Sequence, residues 1–205
     1  IDHDNNNKCG GVPLTVDIWV EPTVNITALN DTICDGESTN ITVSSNNVTT
    51  NGIRYTWTVT DNPSVTGELP SMGQGQLIGS AIVQTLVNTS PDKQLVQYTI
   101  TPWTIDHDNN NKCGGVPVTV DIWVEPTVNV TALNDTICDG ASTNITVSSS
   151  NVTTNGIRYT WTVTDNPAVT GELPSTGQGQ MIGTAIAQTL VNTSPDKQLV
   201  QYTIT

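Results

Sequence analysis

The chain has 205 residues, 19 acidic side chains against 6 basic ones, no phenylalanine and a formal net charge of -13. That balance repels a phosphate backbone and excludes nucleic acid as a partner, and no run of about 18 apolar residues is present to insert into a membrane. Thr, Asn, Ser, Val and Ile dominate, which favours short twisted strands over helices and predicts an all-β fold.

The chain opens on IDHDNNNKCGGVP, and the same letters return at residues 105–117. Slid against itself by 104 positions, the sequence aligns residues 1–101 with 105–205 with nine differences, among them Leu14 against Val118, Ile26 against Val130 and Glu37 against Ala141. Near-identity at a fixed period predicts a tandem array. The triplet Pro102-Trp103-Thr104 has no counterpart after Thr205, so the chain reads as a window on a longer periodic polypeptide. Its first residues lack the basic and apolar regions of a secretion signal, which is expected to have been removed or to lie outside this soluble segment.

In chain order, apolar and polar residues alternate in TVNITAL (23–29), TNITVSS (39–45), IRYTWTVT (53–60), AIVQTLVNT (81–89), LVQYTIT (95–101) and VTVDIWVEP (118–126), each bounded by Gly, Pro, Asn or Asp. Strands at this spacing predict tandem immunoglobulin-like, Greek-key β-sandwiches. The stretch GQGQLIG (73–79) has a superficial likeness to a phosphate loop, but no Lys follows and no helix is predicted, so it reads as a flexible turn. The EPT triplets at 21–23 and 125–127 are short, stiff joints, because Pro breaks the ladder. On that frame residues 23–126 form a complete sandwich. Residues 1–22 are the final strand of a preceding or neighbouring-chain sandwich, and 127–205 form a second sandwich without its own final strand. Such a gap leaves unpaired backbone beside an uncovered strip of core and invites strand addition. Either the chain continues and fills the gap, or residues 1–22 of another copy do so head to tail, which propagates as an open filament.

The constellation TICDGESTNITV, YTWTVTDNP, QYTITPW and CGGVPVTVDIWVEPTVN resembles the PKD-like, immunoglobulin-fold repeats of giant surface adhesins from gliding Bacteroidetes and their relatives. The resemblance covers essentially the whole chain, through a Cys-x-Gly before one strand and a Cys-x-Gly-x-Pro before the last. It implies an extracellular stalk of repeated sandwiches, exported across the outer membrane and serving adhesion or motility. It implies no active site.

Three kinds of candidate site remain. In DHDNNNK the oxygens of Asp2, Asp4 and Asn6, repeated as Asp106, Asp108 and Asn110, fall on alternate residues, a spacing by which a tight loop aims hard oxygens at calcium. An EF-hand needs Gly at its sixth position and Glu at its twelfth, where this chain has Asn111 and Pro117. A polar turn built on Asx geometry is the competing reading, and no other cofactor is required. Asn-x-Thr/Ser sequons occur at Asn25, Asn30, Asn40, Asn47 and Asn88, and again at Asn129, Asn134, Asn144, Asn151 and Asn192. Strand alternation by itself writes Asn-Ile-Thr and accounts for Asn25, Asn40 and Asn129, but not for Asn30, Asn47 or Asn88. The DTI triplets at 31–33 and 135–137 resemble the Asp-Thr-aliphatic O-glycosylation motif of exported Bacteroidetes proteins, which implies Thr32 and Thr136 as acceptors. Covalent glycans are therefore expected.

Cys9, Cys34, Cys113 and Cys138 recur two per period and, in a secreted chain, predict disulfides. Cys34 with Cys113 is one pairing. In an ordinary Greek-key sandwich, however, the turn after the first strand and the approach to the last lie at opposite poles, roughly 30 Å apart. Either a short or kinked first strand brings the two together, or Cys34 staples the neighbouring domain across the joint.

Trp57 and Trp161 read as core, while Trp19 and Trp123 near the joint pack against the adjoining domain or stack on sugar. One His per period in an amide-rich loop, with no nucleophile elbow, gives no catalytic constellation, and the carboxylates Asp61 and Glu68 belong to turns and surface. The sequence therefore reads as a non-enzymatic bead of an extracellular bacterial surface filament or adhesin stalk, with further copies of itself as partners. A calcium-dependent adhesive or carbohydrate-binding module, and a spacer of an extracellular enzyme, are the alternatives.

Overall fold

A computed structural model describes residues 11–205 of the chain. Residues 23–126, the first repeat, carry ten strands: β1 (Asp31–Ile33), β2 (Ile41–Thr42), β3 (Ile53–Thr60), β4 (Val65–Thr66), β5 (Gln76–Leu77), β6 (Ala81–Ile82), β7 (Val87–Asn88), β8 (Gln94–Ile105), β9 (Asn111–Gly114) and β10 (Val118–Val124). The main sheet runs β1-β10-β8-β3-β5, with β9 also paired to β8. Alternation dictates its inner face: Ile53, Tyr55 and Trp57 of β3, Val96, Tyr98 and Ile100 of β8, and Val120, Ile122 and Val124 of β10 are all buried. Against them pack Val24, Ile26, Ile41, Val43, Val65, Ile82 and Leu86 from a layer of shorter ladders, β2 with β6 and β4 with β7, so the two sheets enclose one core.

β10 is the strand on which this core closes. It pairs antiparallel with β8, from Val118 opposite Ile100 to Val124 opposite Gln94, and parallel with β1, from Asp31 opposite Ile122 to Ile33 opposite Val124. Full burial of its three inward side chains stabilises the sandwich by about 1.5–3 kcal/mol each. Its entry depends on Gly115, where a Cβ would collide with the carbonyl of Val24. The amide of Val116 then donates to that same carbonyl at 3.0 Å.

The second repeat, residues 127–205, is built from β11 (Ile145–Thr146), β12 (Arg158–Tyr159), β13 (Trp161–Thr164), β14 (Val169–Thr170), β15 (Gln180–Met181), β16 (Ala185–Ile186), β17 (Val191–Asn192) and β18 (Gln201–Ile204). Its pairs β12 with β15 and β13 with β18 reproduce part of the main sheet, and β11 with β16 and β14 with β17 reproduce the facing layer. Among the described residues it has no counterpart of β1 or β10. Its core is correspondingly small, centred on Val147, Tyr159, Trp161 and Ile186.

Several strands differ from the sequence expectation. Residues 23–29 form no continuous strand but a single bridge, Thr27 to Ser44, and 81–89 split into β6 and β7. The strand expected at 95–101 extends to Ile105. The turn expected at 73–79 contains β5, which pairs with β3 at the sheet edge. Gly75 takes a φ of 77° there, and a Cβ on it would strike the Tyr55 carbonyl.

Candidate functional site

The described part of the leading segment, residues 11–20, forms no strand and is exposed throughout. Its apolar side chains repeat those of β10 but meet water: Ile18 is 82% exposed where Ile122 is 0%, and Val20 is 90% exposed where Val124 is 0%. The second repeat is open at the complementary place. Val24 is 1% exposed, whereas its equivalent Val128 is 40% exposed. A groove there is lined by Val128, Val130, Ile157 and Ile204, beside the backbone of Gly156 and Thr205. In the first repeat this strip lies against β10 and its approach; in the second it faces solvent.

The joint between the repeats is built from backbone and short polar side chains. Glu125 N donates to Ile33 O at 2.8 Å, and the Glu125 carboxylate accepts from Thr154 N at 2.9 Å. Glu21 accepts from Thr50 N at 3.0 Å, so the same acidic staple stands at both EPT triplets. Thr127 Oγ1 donates to Asp35 Oδ2 at 2.7 Å, while Asp35 Oδ1 accepts from Asn88 N at 2.9 Å. A parallel bridge joins Asp92 to Val152, with Lys93 N donating to Val152 O at 2.8 Å and Asn151 Nδ2 to Pro91 O at 2.6 Å. The Lys93 ammonium lies 4.6 Å from the centre of the Trp123 ring, so that tryptophan is capped by a cation beside the joint.

Asp2, Asp4, Asn6 and Cys9 lie outside the described residues. In the second copy of the acidic loop, Asp106 Oδ1 accepts from Asn110 N at 2.7 Å and Asp106 N donates to Asn110 O at 2.9 Å, closing a hairpin turn in which Asn109 has a φ of 66°. The Asn110 backbone amide holds the Asp106 carboxyl below its ordinary range. Asp108 contacts His107 at 3.1 Å, and Asn110 Oδ1 accepts from Gln74 Nε2 at 2.7 Å. Arg54 reaches over to the carbonyl and side-chain oxygens of Asn109, both at 3.0 Å. The loop is thus closed by its own amides and tied to β3 through the Arg54 guanidinium, and among the described residues no group of three His, Cys, Asp or Glu side chains converges as a metal site.

The sequons fall into different settings. Asn25, Asn30, Asn40, Asn129, Asn134 and Asn144 are exposed, as are Thr32 and Thr136. Asn47 and Asn151 are half-buried; their side-chain oxygens accept from the amides of Asn25 and Asn129, both at 2.8 Å. Asn88 is buried, and its Nδ2 donates to the carbonyls of Asp92 and Val124, both at 2.9 Å. Its counterpart Asn192 is half-buried and donates to Asp196 O at 2.9 Å.

Cys34, Cys113 and Cys138 are free and exposed. Cys34 follows β1 at the pole where β10 leaves, and Cys113 lies on β9 beside Thr104 at the pole where the chain enters. The short first strand therefore does not join Cys34 to Cys113. Trp57 and Trp161 sit in the two cores, each donating from its indole nitrogen at 2.9 Å, to the carbonyls of Leu69 and Leu173. Burial pushes the Tyr55 phenol up to about 12, and raises Tyr98 further still, with the Glu68 carboxylate adding to the effect. Tyr159 and Tyr202 are raised in the same direction, chiefly by burial.

The two-sheet core, the repeated joint and the absence of any helix among the described residues together point to one class of module. A family model for the PKD-like domain matches residues 31–128 and again residues 135–205. The chain belongs to the PKD-like domain family. The two matched segments of this PKD-like chain begin at residues one sequence period apart, and each contains most of one of the cores. No curated protein matches the chain. Domains of this family are immunoglobulin-like β-sandwiches that are typically extracellular, with structural or adhesive roles. Among the described residues no helix is long and apolar enough to cross a membrane. Sequence reasoning missed the capping of Trp123 by Lys93 and the parallel seat of β1; the DTI triplet carried the only local signal for the latter, a single inward Ile33.

Proposed function

We propose that this chain is a structural bead of an extracellular bacterial surface filament or adhesin stalk, joined to further copies head to tail by chain continuity or strand donation. One observation carries the reading: β10 both completes the core of one repeat and runs through Glu125 into the bonds that hold the next. A module built this way transmits load along its backbone, since the strand that seals one bead is also the tether to its neighbour. The reading assigns no catalytic residue and no required cofactor. It is further supported by the near-identity of the two copies, because a duplicated bead lengthens a stalk while a duplicated active site adds only a second copy of the same chemistry.

Immunogold labelling of intact producing cells with antibody to this chain tests it. Label along surface fibres is expected, and label confined to the cell interior would overturn it.

A further inference from the structure

We propose that Asn155-Gly156, in the loop that grips the joint between the repeats, is a site of spontaneous succinimide formation whose products loosen that joint as the chain ages.

The chemistry favours an asparagine or aspartate followed by glycine, because a residue without a side chain lets its amide approach the preceding Cγ. The glycine backbone nitrogen attacks that Cγ, its proton leaves with the side-chain amide as ammonia, and a five-membered succinimide remains. Water then opens the ring at either carbonyl and gives aspartate or isoaspartate. One water enters and one ammonia leaves overall. With aspartate in place of asparagine the leaving group is water, and the mass does not change.

The chain has two dipeptides of each kind: Asn51-Gly52 and Asn155-Gly156, and Asp35-Gly36 and Asp139-Gly140. The fold treats the two kinds oppositely. Gly36 N donates to Leu86 O and Gly140 N to Leu190 O, both at 2.9 Å. Asp35 Oδ1 and Asp139 Oδ1 accept from Asn88 N and Asn192 N, at 2.9 and 2.8 Å. Nucleophile and electrophile are both held by other partners there, and those bonds must open before the ring can close. Asn51 and Asn155 are exposed. Among the described residues neither their side chains nor the amides of Gly52 and Gly156 are hydrogen-bonded. The free amide recurs in the first repeat, where Gly52 O accepts from Ile105 N at 3.2 Å, so it belongs to the conformation of the loop itself.

Position gives the reaction its consequence. Thr154 N, one residue before Asn155, donates to the Glu125 carboxylate at 2.9 Å, and Val152 of the same loop bridges to Asp92. Glu125 Oε2 is buried without a hydrogen-bond partner among the described residues. A carboxylate created at residue 155 repels that poorly solvated oxygen. Isoaspartate also routes the main chain through the former side chain, which lengthens the loop by one atom beside the bond to Glu125.

The test ages the full chain in warm, mildly alkaline buffer, folded and in parallel in urea, and follows each dipeptide by peptide mapping. Conversion of asparagine adds about 1 Da, and chromatography separates the isoaspartyl peptides. Folding is expected to leave conversion at Asn155 within about threefold of its rate in urea, and to slow Asp139 by at least about tenfold. Equal slowing of the two would overturn the site. So would conversion at Asn155 no faster than at the exposed Asn129 and Asn134. Exchange of the Thr154 amide is expected to quicken at least about threefold in the aged chain and in Asn155→Asp. It should stay unchanged in aged Asn155→Gln, whose longer side chain does not form the five-membered ring. Conversion at Asn155 with Thr154 exchange unaltered would overturn its action on the joint.

Discussion

Residues 23–101 and 127–205 are almost the same sequence in two surroundings. Val24 and Val128 are the same letter in the same local context, yet one is sealed and the other 40% exposed. Tyr98 is enclosed while Tyr202 is half-buried, and Ile33 lies in a strand whereas Ile137 does not. None of the few substitutions between the copies explains this. The difference is the presence of β10 in one and not the other. In the first repeat β1 pairs with β10, and the equivalent residues 135–137 of the second form no strand.

The largest test of that contrast puts one substitution at two equivalent positions. Ile122→Ala should destabilise the first repeat by about 2–5 kcal/mol, the usual cost of emptying a core site. Ile18→Ala should change the stability of either repeat by less than about 0.5 kcal/mol. Urea unfolding of both variants decides the matter, and equal losses would mean that residues 11–20 pack within their own chain.

Hydrogen exchange sharpens the comparison further. The amides of Tyr98 and Ile100 lie in a strand flanked on both sides, whereas those of Tyr202 and Ile204 lie in β18, paired only with β13. Protection at least about tenfold lower is expected in β18, corresponding to about 1.4 kcal/mol in opening free energy. Uniform protection would contradict the open groove.

A smaller effect concerns alkali. A tyrosine whose folded pKa is raised stabilises the fold fully below its ordinary pKa of 10.0, and that contribution drains away as pH rises from there to the folded value. Absorbance titration should show Tyr55 ionising near 12, with stability falling between about pH 10 and 12. Ionisation of Tyr55 at the ordinary value would show its phenol to be solvated.

The smallest effect lies in the Asp106 hairpin. Its lowered carboxyl contributes above the ordinary carboxylate range and loses that contribution as pH falls through its folded value. The Asn110 amide resonance should report the release in acid, and its absence would detach Asp106 from the turn.

Much of the fold was legible because three strands alternate cleanly. Ile53, Tyr55 and Trp57, then Val96, Tyr98 and Ile100, then Val120, Ile122 and Val124 could be placed inward from their period alone. Asp31-Thr32-Ile33 could not, since three residues with one apolar side chain carry no period, and their parallel seat depends on a strand some 90 residues later. The 73–79 stretch reads as a flexible turn in sequence because no Lys follows it and no helix is predicted; at Gly75 the need is for close approach to Tyr55, not for flexibility. The candidate sites were less legible. A sequon states nothing of its burial, so Asn88 and Asn30 look alike in sequence, though the Asn88 nitrogen is spent on Val124 inside the core while Asn30 is exposed and only its Oδ1 is engaged, accepting from Asp121 N at 3.0 Å. The acidic loop likewise spells oxygens without saying that Asp106 and Asn110 direct theirs at protein amides.

The parallel pairing of β1 with β10 has a mechanical consequence. Tension between the entry at Thr23 and the exit at Glu125 pulls β1 toward its start and β10 toward its end, so the two parallel strands slide along their common axis. All bonds across that pair are then strained at once, in shear, and none can open ahead of the others as in a zipper. A patch of only three residue pairs acts as a clutch for the whole bead.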